Sequence, residues 1–229
     1  MQEIVEGIYR WTAPHPEWRT RIDWGHEVAC FALADGGRLI LIDPLLPTDE
    51  RREAVLAVLD GLASDADRVD VTITVPYHAR SAEELYRRYH TQAETAIWGH
   101  QAVARRFHHA DTPLQVIEPG ATIAAGAATA FAIGKPRRHE MPLFFPAQRA
   151  LAFGDAVIGI DGRLRVWEQA SSDPVWFEQR FVPTLRPLLD VDVERVLVTH
   201  GPPILHDGRR ALEDALAAGR WDYRTSGTA

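Results

Sequence analysis

Four side chains suited to metal or acid–base chemistry are spread over the 229-residue chain: His78, His139, Asp155 and His200. Each sits beside a stretch that reads as a strand. His78 follows the β-branched run Val69–Val75, and His139 precedes the strand pair that leads to Gly154-Asp155. Asp155 ends Leu151-Ala152-Phe153-Gly154, and His200 ends Val196-Leu197-Val198-Thr199 before Gly201-Pro202-Pro203. Loops at strand ends are where α/β folds place reactive groups. Two or three imidazoles and a carboxylate on one edge suit a borderline divalent cation. Each residue also has a plain structural use. A lone histidine at a strand end more often hydrogen-bonds than ligates, and aspartate favours turns. Their joint order is what points to chemistry. Neither a nucleophile elbow nor a phosphate-binding glycine loop is visible, so covalent serine catalysis and nucleotide binding have no support.

Aromatic residues offer walls for a pocket over such a site. Trp11, Trp18 and Trp24 lie in the early chain and Tyr77 lies beside His78, with His15 and His26 able to join them. Trp167 and Trp176 lie in the second half and could line the same cleft. Packing is the competing use of all of these rings.

The elements that must position these groups alternate between strand and helix. Residues 3–11 read as a strand, 12–25 as a Pro- and Trp-rich loop, and 27–34 with 38–43 as a hairpin turning at Asp35-Gly36-Gly37. Thr48 or Asp49 can cap a helix over 50–62, where Val55, Leu56, Val58, Leu59 and Leu62 repeat at helical spacing. Ser81 with Glu84 has the form of a capping box for a helix running to Tyr89. A short strand at 96–98 and a helix through Gln101 to Phe107 follow. Strands are expected at 115–118, 121–125, 128–133, 142–145, 149–154, 157–160 and 195–198, with helices at 174–189 and 207–218. The pattern is that of one layered α/β domain with two sheets between outer helices and two comparable halves, about 1–115 and 116–229.

Composition narrows the function classes. Twenty-five Lys and Arg against 32 Asp and Glu give a net charge of −7, and no basic cluster breaks that balance, so no nucleic-acid partner is expected. No apolar run approaches the ~20 residues that span a bilayer, so no membrane partner is expected either. The acidic start Met1-Gln2-Glu3-Ile4-Val5-Glu6 lacks the basic region of a signal peptide, and the expectation is a cytoplasmic protein. The single cysteine, Cys30, lies in an apolar run and reads as a buried hydrophobe. A small-molecule substrate or ligand is the expected partner, and a homodimer stays open.

The motifs also have a recognisable order. Gly7-Ile8-Tyr9-Arg10-Trp11, the hairpin ending Leu41-Ile42-Asp43-Pro44, Phe153-Gly154-Asp155-Ala156 and Thr199-His200-Gly201-Pro202-Pro203, arranged around the His78 loop, resemble the metallo-β-lactamase superfamily. The resemblance spans nearly the whole chain and implies a four-layer αββα sandwich of two mixed sheets flanked by helices. Family members carry Thr-His-x-His-x-Asp-His after a buried strand. Here the stretch reads Val75-Pro76-Tyr77-His78-Ala79-Arg80-Ser81. By that match Pro76 stands at the first histidine, His78 keeps the second, Arg80 replaces the aspartate and Ser81 the last histidine.

The resemblance therefore implies a degraded centre rather than a standard two-zinc hydrolase. His78, His139 and Asp155 form the expected mononuclear set, while Asp155 and His200 alone remain of the second. The cofactor is at most one divalent metal, zinc first, or none. In a metal-dependent hydrolase Asp155 would orient a water and His200 act as acid or base. Arg80 would supply charge in a metal-free version, or lie on a helix surface beside Glu83 and Glu84. The activity implied is hydrolysis of a small ester, thioester or lactone. The alternative is an inactive, metal-free binding protein that keeps the fold. An iron-dependent oxidative enzyme ranks last. A β-lactam substrate is not expected, since a secreted resistance enzyme needs a signal peptide and a filled site.

Overall fold

The computed structural model describes residues 1–19, 25–134, 137, 139–167, 173–219 and 221. The first sheet has seven strands in sequential order: β1 (Gln2–Val5), β2 (Ile8–Pro14), β3 (Glu27–Asp35), β4 (Arg38–Ile42), β5 (Arg68–Ile73), β6 (Glu94–Gly99) and β7 (Gln115–Val116). Between them lie α1 (Arg51–Ser64) and α2 (Ala82–Tyr89). The second sheet runs β14 (Arg195–Val198), β11 (Ala150–Phe153), β10 (Leu143–Phe145), β9 (Ala128–Ala130) and β8 (Thr122–Ile123). A separate ribbon pairs β12 (Val157–Ile160) with β13 (Arg163–Val166), and α5 (Gly208–Ala217) packs near it.

Period-two alternation explains why the sheets stack. Val28, Cys30 and Ala32 of β3 face the layer under α1 and α2, while Ala29, Phe31 and Leu33 face the second sheet. β4 divides the same way, with Leu39 and Leu41 outward and Ile40 and Ile42 inward. In the second sheet Leu151, Phe153, Val196 and Val198 pack on outer helices, while Ala150, Ala152 and Leu197 meet the first sheet. Strands apolar on both faces demand cover on both faces. The result is the expected αββα order: helices, sheet, sheet, helices.

Several local readings differ. The expected strand 3–11 is a hairpin that turns at Gly7, whose φ of +71° suits glycine. Residues Gln101–Arg106 wind as a 3₁₀ helix, and β13 is an additional strand. The helical stretch 174–189 is not one α-helix. It passes from α3 (Pro174–Trp176) through a wide π-type turn at Phe177–Phe181 to α4 (Val182–Leu185) and a 3₁₀ turn at Arg186–Leu189. Pro183 and Pro187 lack the N–H that a regular α-helix needs. Ser81 does not cap α2 with its side chain; its Oγ accepts the Leu46 N–H at 2.9 Å. Glu84 pairs with Arg52 instead of closing a capping box. No helix among the described residues is long and apolar enough to cross a membrane.

Candidate metal centre

Parallel pairing sets the site. β4, β5 and β6 run in parallel, so the chain leaves all three at one edge of the first sheet. β11 and β14 are parallel in the second sheet. Carboxyl ends of parallel strands are where open sheets gather functional groups. Asp43 follows β4, the turn Pro76–Ala79 carrying His78 follows β5, Asp155 follows β11 and His200 follows β14. Two backbone bonds join the sheets here: Ala29 N–H donates to Thr199 O and Met141 N–H to Thr74 O, both at 2.7 Å. Gly154 allows the close approach, since a Cβ there would lie 2.6 Å from Thr74 Oγ1.

His78, Asp155 and His200 are buried, and one ligand atom from each lies within 4.8 Å of the others. His78 Nε2 is 3.4 Å and His200 Nε2 3.1 Å from Asp155 Oδ1. The far side of His78 is held by Asp43, whose Oδ2 is 2.9 Å from Nδ1. Asp43 in turn accepts the Thr74 N–H at 2.8 Å and the Thr74 hydroxyl. The Tyr77 hydroxyl donates to Asp155 Oδ2, although 44% of the Tyr77 residue surface is exposed. Beneath Asp155, buried Glu140 accepts the N–H groups of Gly154 at 3.0 Å and Ala156 at 2.9 Å.

The electrostatics set one buried carboxylate, Asp155, against two imidazoles and the nearby Arg80 charge. Burial disfavours charge on Asp155, but His78 and His200 outweigh it and hold its pKa well below the usual range. Burial and the Arg80 charge oppose protonation of His78, yet Asp43 and Asp155 raise its pKa. Burial, with His78 and Arg80, lowers the pKa of His200. His15 is pushed down to about 4 by burial and by the charges of Arg80, His78 and His200. Burial and the Asp155 charge raise Glu140 to about 7.

No protein-family profile matches the chain, and no curated protein matches it. Solved structures do. A metallo-β-lactamase family protein from Thermus thermophilus aligns over 94% of this chain and 80% of its own at 17% identity and a TM-score of 0.60. A metallo-β-lactamase from Erythrobacter litoralis aligns over 94% and 93% at 17% identity and a TM-score of 0.62. The chain has the metallo-β-lactamase fold. The flavodiiron protein from Giardia intestinalis shares it, with 94% of this chain covering 57% of that one at 15% identity and a TM-score of 0.60. The fold therefore hosts proteins of more than one kind, and the site must decide between them.

Within this metallo-β-lactamase fold the expected ligands regroup. His78 stands beside Asp155, one of its two expected partners, but His200 rather than His139 completes the group, the turn Pro76–Ala79 aiming its Nε2 at Asp155. His139 lies outside the three-residue cluster, with its ring edge-on to His100 at 4.6 Å. Arg80 is not a helix-surface charge. It is partly buried at φ 35°, donates Nη1 to Asp43 O at 3.2 Å, and its Nε and Nη2 are buried with no hydrogen-bond partner among the described residues.

The aromatic residues divide. Tyr77 reaches the site, whereas Trp11 is core, 3% exposed, with its indole N–H on Leu45 O at 2.9 Å. Trp18 stands edge-on to His26 at 5.2 Å, and Trp24 lies outside the described residues. Trp167 reaches the centre, edge-on to His200, while Trp176 stacks on Phe181. Asp43 and Glu140 join the site although neither is among the expected site residues, Asp43 entering only as part of the Leu41-Ile42-Asp43-Pro44 motif. The signal for Asp43 is an aspartate ending an apolar strand that pairs beside the strand leading to His78. Glu140 has none beyond its neighbour His139.

Proposed function

We propose that this chain is a metallo-β-lactamase-fold hydrolase with a reduced centre, built for one divalent cation held by His78, Asp155 and His200. The convergence of three ligand atoms carries this reading. A tetrahedral zinc with bonds of about 2.0–2.2 Å spaces its ligands by roughly 3.3–3.6 Å; His78 Nε2 stands 3.4 Å from Asp155 Oδ1, and His200 Nε2, hydrogen-bonded to the same oxygen at 3.1 Å, would move outward slightly. Three protein ligands leave a position open, which is the arrangement of catalytic rather than structural zinc. Outer partners are in place as well: Asp43 on His78 and Tyr77 on Asp155 orient those ligands. A second cation lacks ligands, since Arg80 and Ser81 stand where the resemblance places an aspartate and a histidine.

When bound, the cation would supply Lewis acidity and lower the pKa of water. The chain's own groups do the rest. Arg80 carries two buried donor nitrogens, Nε and Nη2, with no hydrogen-bond partner among the described residues, to offer a substrate oxygen that gains charge. A small ester, thioester or lactone fits these parts.

Metal analysis of protein purified without chelator tests the reading. One zinc per chain is expected, lost in a His78→Ala/His200→Ala variant, with hydrolysis of a panel of chromogenic esters, thioesters and lactones following the metal. Less than a tenth of an equivalent after added zinc would overturn it and leave a metal-free binding protein, the reading that the buried Arg80 charge favours.

A further inference from the structure

A cavity of about 470 Å³ opens directly beside the centre. Its lining includes Tyr77, Arg105, Arg106, Arg137, His139 and Glu140. Small-molecule sites are commonly ~300–1,000 Å³ with a few convergent polar groups. Here the convergent groups are mostly cationic, on a chain whose net charge is −7.

Among the described residues these arginines are not engaged by acids. None of the three has a carboxylate within 4.0 Å among the described residues, while Arg51, Arg52, Arg68 and Arg88 all do. Arg137 lies with its Cζ 5.0 Å above the Trp167 ring, and its buried Nε and Nη2 have no hydrogen-bond partner among the described residues. The acid in the lining, Glu140, turns its oxygens to the N–H groups of Gly154 and Ala156. Arg105 and Arg106 are positioned by a separate acid: Glu83 accepts the N–H groups of His108 and His109, just past them, at 2.6 and 3.1 Å. A larger cavity near α5, about 560 Å³, holds three arginines too, but Asp207 and Asp214 line it with them.

We propose that the cavity beside Tyr77 is the binding site for an oxyanion, a phosphate or carboxylate group carried by the substrate. Planar guanidinium forks match both groups and bind them with paired hydrogen bonds. Tyr77 forms the wall shared with the centre, since it lines this cavity and donates to Asp155. Trp167 makes a second link, under Arg137 and edge-on to His200 at 5.3 Å. The substrate class, an anionic small molecule with its scissile bond held past Tyr77, rests on the hydrolase reading above. The oxyanion site itself does not.

Calorimetric titration with inorganic phosphate and with acetate tests this on the full chain and on His78→Ala/His200→Ala, which removes the metal ligands. Saturable binding of either anion to both proteins is expected, weakened by salt. Arg105→Ala/Arg106→Ala, at exposed positions and with folding checked by circular dichroism, should lower affinity at least tenfold, and Arg137→Ala likewise. Tighter phosphate would point to phosphate esters and tighter acetate to carboxylates. Binding lost with the metal ligands, or unchanged in the arginine variants, would overturn the site. A chain without metal that still binds the anion would sink the hydrolase and leave this inference standing.

Discussion

Asp43 Oδ2 stands 2.9 Å from His78 Nδ1, and that contact fixes which nitrogen of His78 is free to face Asp155. The carboxylate is itself fixed, because its other oxygen accepts the Thr74 N–H at 2.8 Å. A ligand oriented in this way loses metal affinity by about 10–100-fold when its partner is changed. Asp43→Asn keeps a side chain that tolerates the local φ of 47° and removes the charge. Competition against a fluorescent zinc chelator should show that loss of affinity. Wild-type affinity in the variant would show that Asp43 serves folding alone.

Glu83 makes a prediction about pH. Burial works against its charge, but the N–H groups of His108 and His109 and the Thr112 hydroxyl outweigh burial and hold its pKa below the usual glutamate value. A carboxylate with a depressed folded-state pKa stabilises above its unfolded pKa and loses that contribution as pH falls through the folded value. Glu83→Gln should therefore cost about 1–3 kcal/mol at pH 7, with the difference from wild type closing below about pH 4. Urea unfolding across pH 3–8 measures it. Parallel curves for the two proteins would mean that Glu83 is not charged in the fold.

How much of the molecule is legible in the sequence follows the range of the interaction. Buried strands, such as the β-branched Val69–Val75 and the apolar Val196–Val198, are local patterns, and they lead to two stacked sheets. The ends of those strands are legible too, so Asp155 and His200 stand out. The grouping of His78 does not, because it depends on where one 3₁₀ turn aims a ring across the gap between sheets. Trp11 reads as a pocket wall since nothing local says that its indole will reach Leu45 O. Ser81 and Glu84 have the spacing of a capping box, but Leu46 and Arg52, distant in sequence, take their side chains.

Gly201 explains part of the Thr199-His200-Gly201-Pro202 motif. Its φ is +85°, and a Cβ there would stand 1.8 Å from Gly159 O. The same strand edge donates Gly159 N–H to His200 O at 2.8 Å. Backbone cannot move aside as a side chain does, so Gly201→Ala must displace β12 or the His200 loop. A loss above about 3 kcal/mol in urea unfolding is expected, together with weaker zinc binding by the soluble fraction. A variant as stable as wild type would contradict this packing.

Arg80 separates cation binding from catalysis. Its charge already disfavours a proton on His15, His78 and His200, and the same field disfavours a divalent cation between them. Removing the charge while keeping a long side chain, as in Arg80→Met, should tighten zinc binding by about tenfold, or ~1.4 kcal/mol. It also deletes two buried donors that lack partners, so stability should hold or rise despite the lost bond to Asp43 O. Hydrolysis should move the other way. If Nε and Nη2 bind an oxygen that gains charge in the transition state, kcat falls at saturating zinc by about 10²–10³ while the metal is held more tightly. Chelator competition and rates measured on the same preparations give both quantities. Tighter zinc with unchanged kcat would make Arg80 a brake on the metal alone, and weaker zinc would remove it from the centre altogether.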